Sequence, residues 1–372
     1  MKPIALLPLL LFVVIVLISG CEGTDYRQSA QGDRSEVLVV MDSTQWESET
    51  AEAIRETFGE YMMTLPRPEQ RFDLRFTDIN TQRQLDRAQR HRSVIFAAPL
   101  DEQSNVGGFI RNSLSDDILQ RVERGDNFAF PLEDRWYRDQ WTLFLSGQSD
   151  EQLAERIRED GSNLVSTLHD KTIKRWKDYI YRSGEQVAKA DSLWENHGFR
   201  FRVQHDYRVG VDTTNFVTMR RYLHDNDRWL WAWYMEDVDD TDFVDTDWIH
   251  EVRDSLNKKY IRGSRDESYV TTEFRRDVTT ESINLNGYPA YETRGTWQMT
   301  NDLMGGPFLH YTIFDEKANR IYMLEFAQFA PRYPKRRFMY QFEAMAQTFE
   351  ADSTLAEQND VISDWLYHQQ LK

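Results

Sequence analysis

Two short segments carry residue types whose spacing could do chemistry. In Trp229-Leu-Trp-Ala-Trp233, strand alternation sets Trp229, Trp231 and Trp233 on one face and Leu230 and Ala232 on the other. Three indoles in a row can stack on a sugar ring, a peptide or a lipid headgroup. They also fill space between a sheet and a helix, and the area they bury favours that packing role. In Met304-Gly-Gly-Pro-Phe308, Gly305 and Gly306 permit positive φ or the close approach of a backbone or ligand, and Pro307 fixes the exit. A tight turn between two strands is the plain expectation there. Arg294, Trp297 and Asp302 lie just upstream and complete the candidate binding set. Arg294 and Asp302 would form either a polar site or a structural ion pair.

Other chemistries find little support. Glu236-Asp-Val-Asp-Asp-Thr-Asp-Phe-Val-Asp-Thr-Asp247 is dense in oxygen ligands, but it lacks the mid-loop glycine and terminal glutamate of a calcium loop. A solvated acidic loop before a helix is expected, with no metal. The eight histidines, His91, His169, His197, His205, His224, His250, His310 and His368, are scattered. They form no His-Glu-x-x-His and no close metal pair. A nucleophile elbow, a P-loop and a dinucleotide fingerprint are all missing from the sequence, so no cofactor is expected. Paired carboxylates for glycoside hydrolysis assemble in space and stay open as an alternative.

The only cysteine, Cys21, follows Lys2, an apolar run from Ile4 to Ile18, and the small residues Ser19-Gly20. A short apolar run that stops at small residues is a cleavable secretory signal, not a spanning helix. A cysteine at the cut has the form of a bacterial lipobox, which would leave Cys21 as a lipid-bearing N-terminus. Two or more acyl chains anchor stably where one is marginal. Residues 1–20 are therefore expected to be a lipoprotein signal peptide and residues 21–35 a flexible polar tether. The expected location is the cell envelope, membrane-bound through the N-terminal lipid. A spent Cys21 leaves no thiol for a disulfide, a zinc site or nucleophilic catalysis.

The elements that would position these residues follow from length and pattern. A chain of 372 residues with 40% hydrophobic and 13% aromatic content holds one large domain or two ordinary ones. Charged residues at 29% and a mean hydropathy of -0.68 exclude a multispanning membrane protein. A net charge of -17 opposes nucleic-acid binding. The fold class expected is α+β.

Residues 36–148 read as an N-terminal α/β lobe. Its strands are Glu36–Asp42, Phe72–Phe76, Arg92–Ala98, Phe128–Phe130 and Trp141–Leu145; its helices are Trp46–Phe58, capped by Ser43 or Thr44, and Phe109–Val122. Residues 149–197 read as a long helical connector of two or three helices, bent or divided at Gly161 and Gly184. Residues 198–350 read as a mainly antiparallel α/β sandwich with strands at Phe199–Val203, Phe216–Tyr222, Trp229–Tyr234, Glu281–Leu285, Ala290–Met299, Phe308–Phe314 and Arg320–Phe326. A helix at Trp248–Tyr260 interrupts them, and one starting at Pro334 closes the set. Residues 351–372 form a C-terminal helical tail in this reading. Asn286-Gly287-Tyr-Pro-Ala, long strands and a closing amphipathic helix resemble the small sandwich of Mog1 and PsbP proteins, an analogy of fold alone.

The stretch Arg294-Gly-Thr-Trp-Gln-Met-Thr-Asn-Asp-Leu-Met-Gly-Gly-Pro-Phe308 also resembles a family of envelope lipoproteins of diderm bacteria, catalogued as a domain of unknown function. Glu36–Asp42 with Trp46, Trp136–Trp141 and Phe326–Tyr340 support the resemblance, which runs from about Val37 to Phe349. It departs at Phe326-Ala-Gln-Phe-Ala-Pro331, where the family often reads Gly-Phe-Val-Tyr-Ala-Pro. The resemblance implies architecture and an address at the outer membrane of a diderm bacterium, and no reaction. The expectation is a non-enzymatic envelope lipoprotein that binds an envelope protein or a glycan through its second half. A hydrolase of cell-wall or polysaccharide material, and a purely structural lipoprotein, are the alternatives.

Overall fold

A computed structural model describes residues 26–352. Cys21 with its signal segment, and the tail from Ser353 to Leu371, lie outside the described residues. The chain divides into two compact units, one of the described residues up to Trp46 with Arg75–Leu153, the other of Glu47–Leu74 with the described residues from Ala154 onward. In chain order the elements run β1 (Glu36–Val40), α1 (Glu49–Phe58), β2 (Tyr61–Met62), β3 (Glu69–Gln70), β4 (Asp73–Thr77), α2 (Gln82–Gln89), β5 (Ser93–Ala97), α3 (Asn105–Ser113), α4 (Asp116–Glu123), β6 (Ala129–Glu133) and β7 (Trp141–Leu145). They continue with α5 (Asp150–Tyr181), α6 (Val187–His197), β8 (Phe199–Arg200), β9 (Arg208–Asp212), β10 (Phe216–Leu223), β11 (Asn226–Met235), α7 (Thr246–Tyr260), β12 (Val270–Thr272) and β13 (Thr279–Leu285). The last are β14 (Tyr288–Met299), β15 (Gly305–Asp315), β16 (Arg320–Phe329), α8 (Arg336–Ala346) and β17 (Glu350–Ala351).

The first unit is α/β. Its five strands lie in the order β4-β1-β5-β7-β6, with β1, β5 and β7 parallel and β6 antiparallel to β7. Every residue of β5 and β7 is buried, as continuous apolar runs require when both faces of a sheet are covered. Phe96, Phe109, Phe144 and Trp136 pack together, with Phe96 and Phe144 stacked at 5.3 Å. Two helices stand where one was expected over Phe109–Val122. Ser115 takes an extended backbone and precedes Asp116 and Asp117, so a second helix starts with acids in its first turn. Trp46 does not open a helix either; it stacks on Phe76 at 4.4 Å, and α1 starts at Glu49 with Ser48 as its cap.

The second unit is built on an antiparallel sheet in the order β12-β14-β15-β16-β11-β10-β9, with β13 joined to β14 alone. One face carries Leu230, Leu309, Tyr311, Leu324 and Phe326 against α5, α6 and α8. The other carries Trp229, Trp231, Trp297 and Phe308 against α7. The unit is thus the expected α+β sandwich of a mainly antiparallel sheet with helices on both sides.

Several expectations change here. The helix α5 runs unbroken for 32 residues through Gly161. A Cβ at Gly161 would lie 2.6 Å from Thr57 Cγ2, so the glycine gives α1 room to approach and does not divide the helix. Gly184, at φ +107, does separate α5 from α6. Phe199–Val203 contributes only the two-residue β8, paired with β17 outside the main sheet. The edge strand β9 is an addition: four of its five residues are exposed, and only Val211 of the alternating Val209 and Val211 packs on the core. Gly305-Gly306-Pro307 is not the turn: these residues already pair with Gln298, Trp297 and Thr296, and the chain reverses at residues 300–303. The physical reason lies next door, where a Cβ on Gly306 would sit 2.0 Å from the Gln328 carbonyl oxygen.

Candidate binding cleft

Alternation along β14 puts Glu292 and Arg294 on one face, two residues apart. On that face Arg294 Nε donates to Glu292 Oε1 at 2.6 Å and its Nη2 donates to Glu343 Oε2 at 3.0 Å. Glu343 comes from α8, and its other oxygen meets Nε2 of His169 on α5 in a short contact. Tyr340, one turn before Glu343, stands edge-on to His169 at 5.5 Å and donates its hydroxyl to the Arg71 carbonyl at 2.6 Å. This chain of charges forms the floor of a cleft of about 900 Å³.

The floor is largely dry. The side chains of Arg294 and Glu343 are 17% and 8% exposed. Burial opposes ionisation of Glu343, but His169 and Arg294 outweigh it and hold the carboxyl down at about 2. Burial likewise opposes the charge on Arg294, and Glu292 and Glu343 overcome it, keeping the guanidinium charged. Tyr311, fully buried beneath them, is pushed well up by burial and then by Glu292 and Glu343. Nδ1 of His169 makes no hydrogen bond among the described residues. Such orphaned polar atoms are rare in native interiors and mark places where a partner group or water belongs.

The wall and lip are different in character. Tyr61 and Met63 lie on the lip, 54% and 55% exposed. Asp170, Asp277 and Glu281 line the cleft and form no salt bridge among the described residues. Glu60 is tied to Arg71 at 3.2 Å. The arrangement presents fixed charge in a half-dry groove, with no carboxyl held protonated on the floor at Glu343.

The sequence-derived candidates are placed as follows. Arg294 belongs to the cleft, but Asp302 does not join it: Asp302 lies 3.5 Å from Arg265 and accepts from the Leu303 backbone. Trp297 is buried against Trp229, edge-on at 5.0 Å, with Nε1 on the Gln328 carbonyl. Trp229 and Trp231 are buried and Trp233 is half-buried, all on the α7 side of the sheet, where Trp231 donates to Asn257 at 3.1 Å. The stripe therefore packs between sheet and helix, its binding role given up to the core. Gly305, Gly306 and Pro307 sit in the β15 ladder. In the acidic loop, Asp245 caps α7 by accepting from Trp248, and Glu236 pairs with Arg320. Among the described residues no group of three or more His, Cys, Asp or Glu is placed to hold a metal ion.

The α7 side holds a second ion network. Arg253 donates to both oxygens of Glu325, at 2.6 and 3.0 Å, and to Asp254 and Thr272. Its guanidinium also lies 3.7 Å from the Phe308 ring centre. Arg253, Glu325 and His310 are wholly buried, so this network joins α7 to the sheet and offers nothing to a ligand.

His169, Glu292, Tyr311, Tyr340 and Glu343 were not singled out in the sequence. The Glu-x-Arg spacing of Glu292 and Arg294 on one strand face was the one local signal for part of the set.

Two family models each match part of the chain. Residues 186–348 match the model of a domain of unknown function, DUF4837. Residues 30–181 match that of a second domain of unknown function, DUF8532. No curated protein matches the chain. Among solved structures, the Ran-binding protein Mog1p of Saccharomyces cerevisiae aligns with a TM-score of 0.28 and 9% identity, covering 42% of this chain and 92% of that one. A mutant of protein Mog1 aligns with a TM-score of 0.27 and 7% identity, covering 41% and 90%.

Proposed function

We propose that the protein is a lipid-anchored envelope protein that binds a partner through the cleft floored by Arg294 and Glu343. The signal segment ending at the chain's only cysteine, Cys21, supports the anchor and the envelope address. The observation that carries the binding role is the paired floor itself. Glu343, with both oxygens engaged and its carboxyl held at about 2, is ionised at neutral pH and cannot serve as a general acid. A groove of about 900 Å³ with its charges fixed in place is suited to recognition, since little is reorganised on binding.

The test is chemical crosslinking of the protein in intact cells, with Cys21→Ala as the unanchored control and mass spectrometry of the adducts. One stoichiometric partner that disappears in the control is the expected result. No enriched partner, together with release of sugar or peptide from isolated envelopes by the purified protein, would move the assignment to the hydrolase alternative.

A further inference from the structure

The strand Thr279–Leu285 pairs with β14 on one side only, and among the described residues no strand pairs with its other edge. Its outward edge can be assigned from the turn. The two-residue loop Asn286-Gly287 makes Leu285 and Tyr288 a hydrogen-bonded pair, so Ile283, Glu281 and Thr279 also turn their backbone groups towards β14. Pro289, which has no N–H to give, sits opposite Asn284 at a position where none is needed. The backbone groups of Thr280, Ser282 and Asn284 therefore point away from the sheet. Exposed edges of this kind accept another strand unless the fold guards them.

The cleft runs along this strand, with Thr279, Glu281 and Ile283 in its lining. Glu281 lies directly across from Glu292, a like-charge pair that costs free energy when no cation intervenes. Arg294 engages Glu292, but Glu281 has no salt-bridge partner among the described residues. Six carboxylates and three Lys or Arg side chains line the cleft as a whole.

Resting on the partner-binding reading above, we infer that the edge Thr279–Leu285 takes up an extended, basic segment of a partner protein as an added strand. Main-chain bonds to Thr280, Ser282 and Asn284 would supply affinity, and basic side chains on alternate positions would reach Glu281 and the carboxylates beyond it. Tyr61 and Met63 on the lip would pack along the aliphatic stems of those basic side chains.

The experiment uses the full-length protein in detergent and a short labelled peptide of alternating Lys and Thr, with a Glu-for-Lys peptide as control. Saturable binding of the lysine peptide alone, weakened by salt, is expected. Hydrogen exchange at the amides of Thr280, Ser282 and Asn284 should slow on binding. Ser282→Pro should abolish binding while leaving the ladder to β14 intact, and Glu281→Lys should weaken it roughly tenfold or more. If Ser282→Pro fails to fold, the exchange measurement on the unaltered protein decides. No binding of the lysine peptide, or binding without slowed exchange at those three amides, overturns the inference. A partner crosslinked in cells whose binding leaves these amides unprotected would sink strand addition and leave the cleft reading standing; the absence of any partner would remove that reading itself.

Discussion

Arg294, on the strand next to the edge of the sheet, reaches Glu343 on the closing helix at 3.0 Å across 49 residues of sequence. The contact joins two layers of the second unit, and Glu343 passes it on to His169 of the long helix. Three elements thus meet at one carboxylate that burial alone would neutralise. Removing one partner of such a network leaves an uncompensated buried charge, which is the costly case.

Glu343→Gln should therefore lower the unfolding free energy of the second unit by ~3 kcal/mol at neutral pH. The effect should depend on pH with a definite sign. The folded carboxyl stands at about 2, below its ordinary value of 4.5, so its stabilisation is fully present above that ordinary value and is lost as pH falls through the folded one. Denaturant titrations of both proteins should show the gap closing between neutral pH and strongly acidic pH. An equal gap at both ends would contradict the assignment.

Gly306 and Gly108 should respond to alanine in opposite directions. A Cβ at Gly306 would meet the Gln328 carbonyl oxygen at 2.0 Å, backbone that cannot step aside, so Gly306→Ala should cost ~3 kcal/mol or more. Gly108 lies within the helix Asn105–Ser113 with nothing within 4 Å of such a Cβ, and Gly108→Ala should stabilise the first unit by ~0.5–1 kcal/mol. Thermal melts of the two variants check both signs.

Trp231 tests the core assignment of the tryptophan stripe. It is fully buried and hydrogen-bonded to Asn257, so Trp231→Ala should cost ~3–5 kcal/mol in chemical denaturation. Tyr222, 70% exposed at the end of β10, should tolerate alanine within ~0.5 kcal/mol. Comparable small losses at both would mean that the indole is not a packing residue.

Arg253 and Glu325 are each wholly buried and joined by two hydrogen bonds, so either single change should be severe. Arg253→Met should cost ~3–5 kcal/mol, and adding Glu325→Met should cost much less than the sum of the singles, because no lone charge then remains in the core. A double-mutant cycle by urea unfolding measures the coupling. Strict additivity would show that the two groups do not interact.

Much of the fold was legible because it rests on local pattern. The alternation Trp229-Leu230-Trp231-Ala232-Trp233 assigned faces correctly, and each face found the cover that such a strand needs. Phe338, Phe342 and Met345 likewise pointed to a packed last helix, although it is buried all round from Phe338 to Ala346 and not on one face alone. What failed to show in sequence was contact made at a distance. Gly161 reads as a helix breaker, whereas the helix carries it without a break and the nearness of Thr57 explains why the position is glycine. Gly305-Gly306 reads as a turn, and only the neighbouring strand at Gln328 explains why it is a ladder. Arg294 was singled out beside Asp302, its neighbour in sequence, whereas its partners Glu292 and Glu343 lie on its own strand face and on a distant helix. The edge strand Arg208–Asp212 left only a faint signal, Val209 and Val211 on either side of Gly210, because a mostly exposed edge needs few apolar residues.

The central claim is that the cleft floored by Arg294 and Glu343 holds a partner. A photocrosslinking amino acid placed at Met63, on the lip, tests it directly in intact cells, with the fully exposed Leu303 outside the cleft as the control site. The account predicts one discrete covalent adduct from position 63 and none of the same mass from position 303. The same adducts from both positions, or none from position 63, would contradict it.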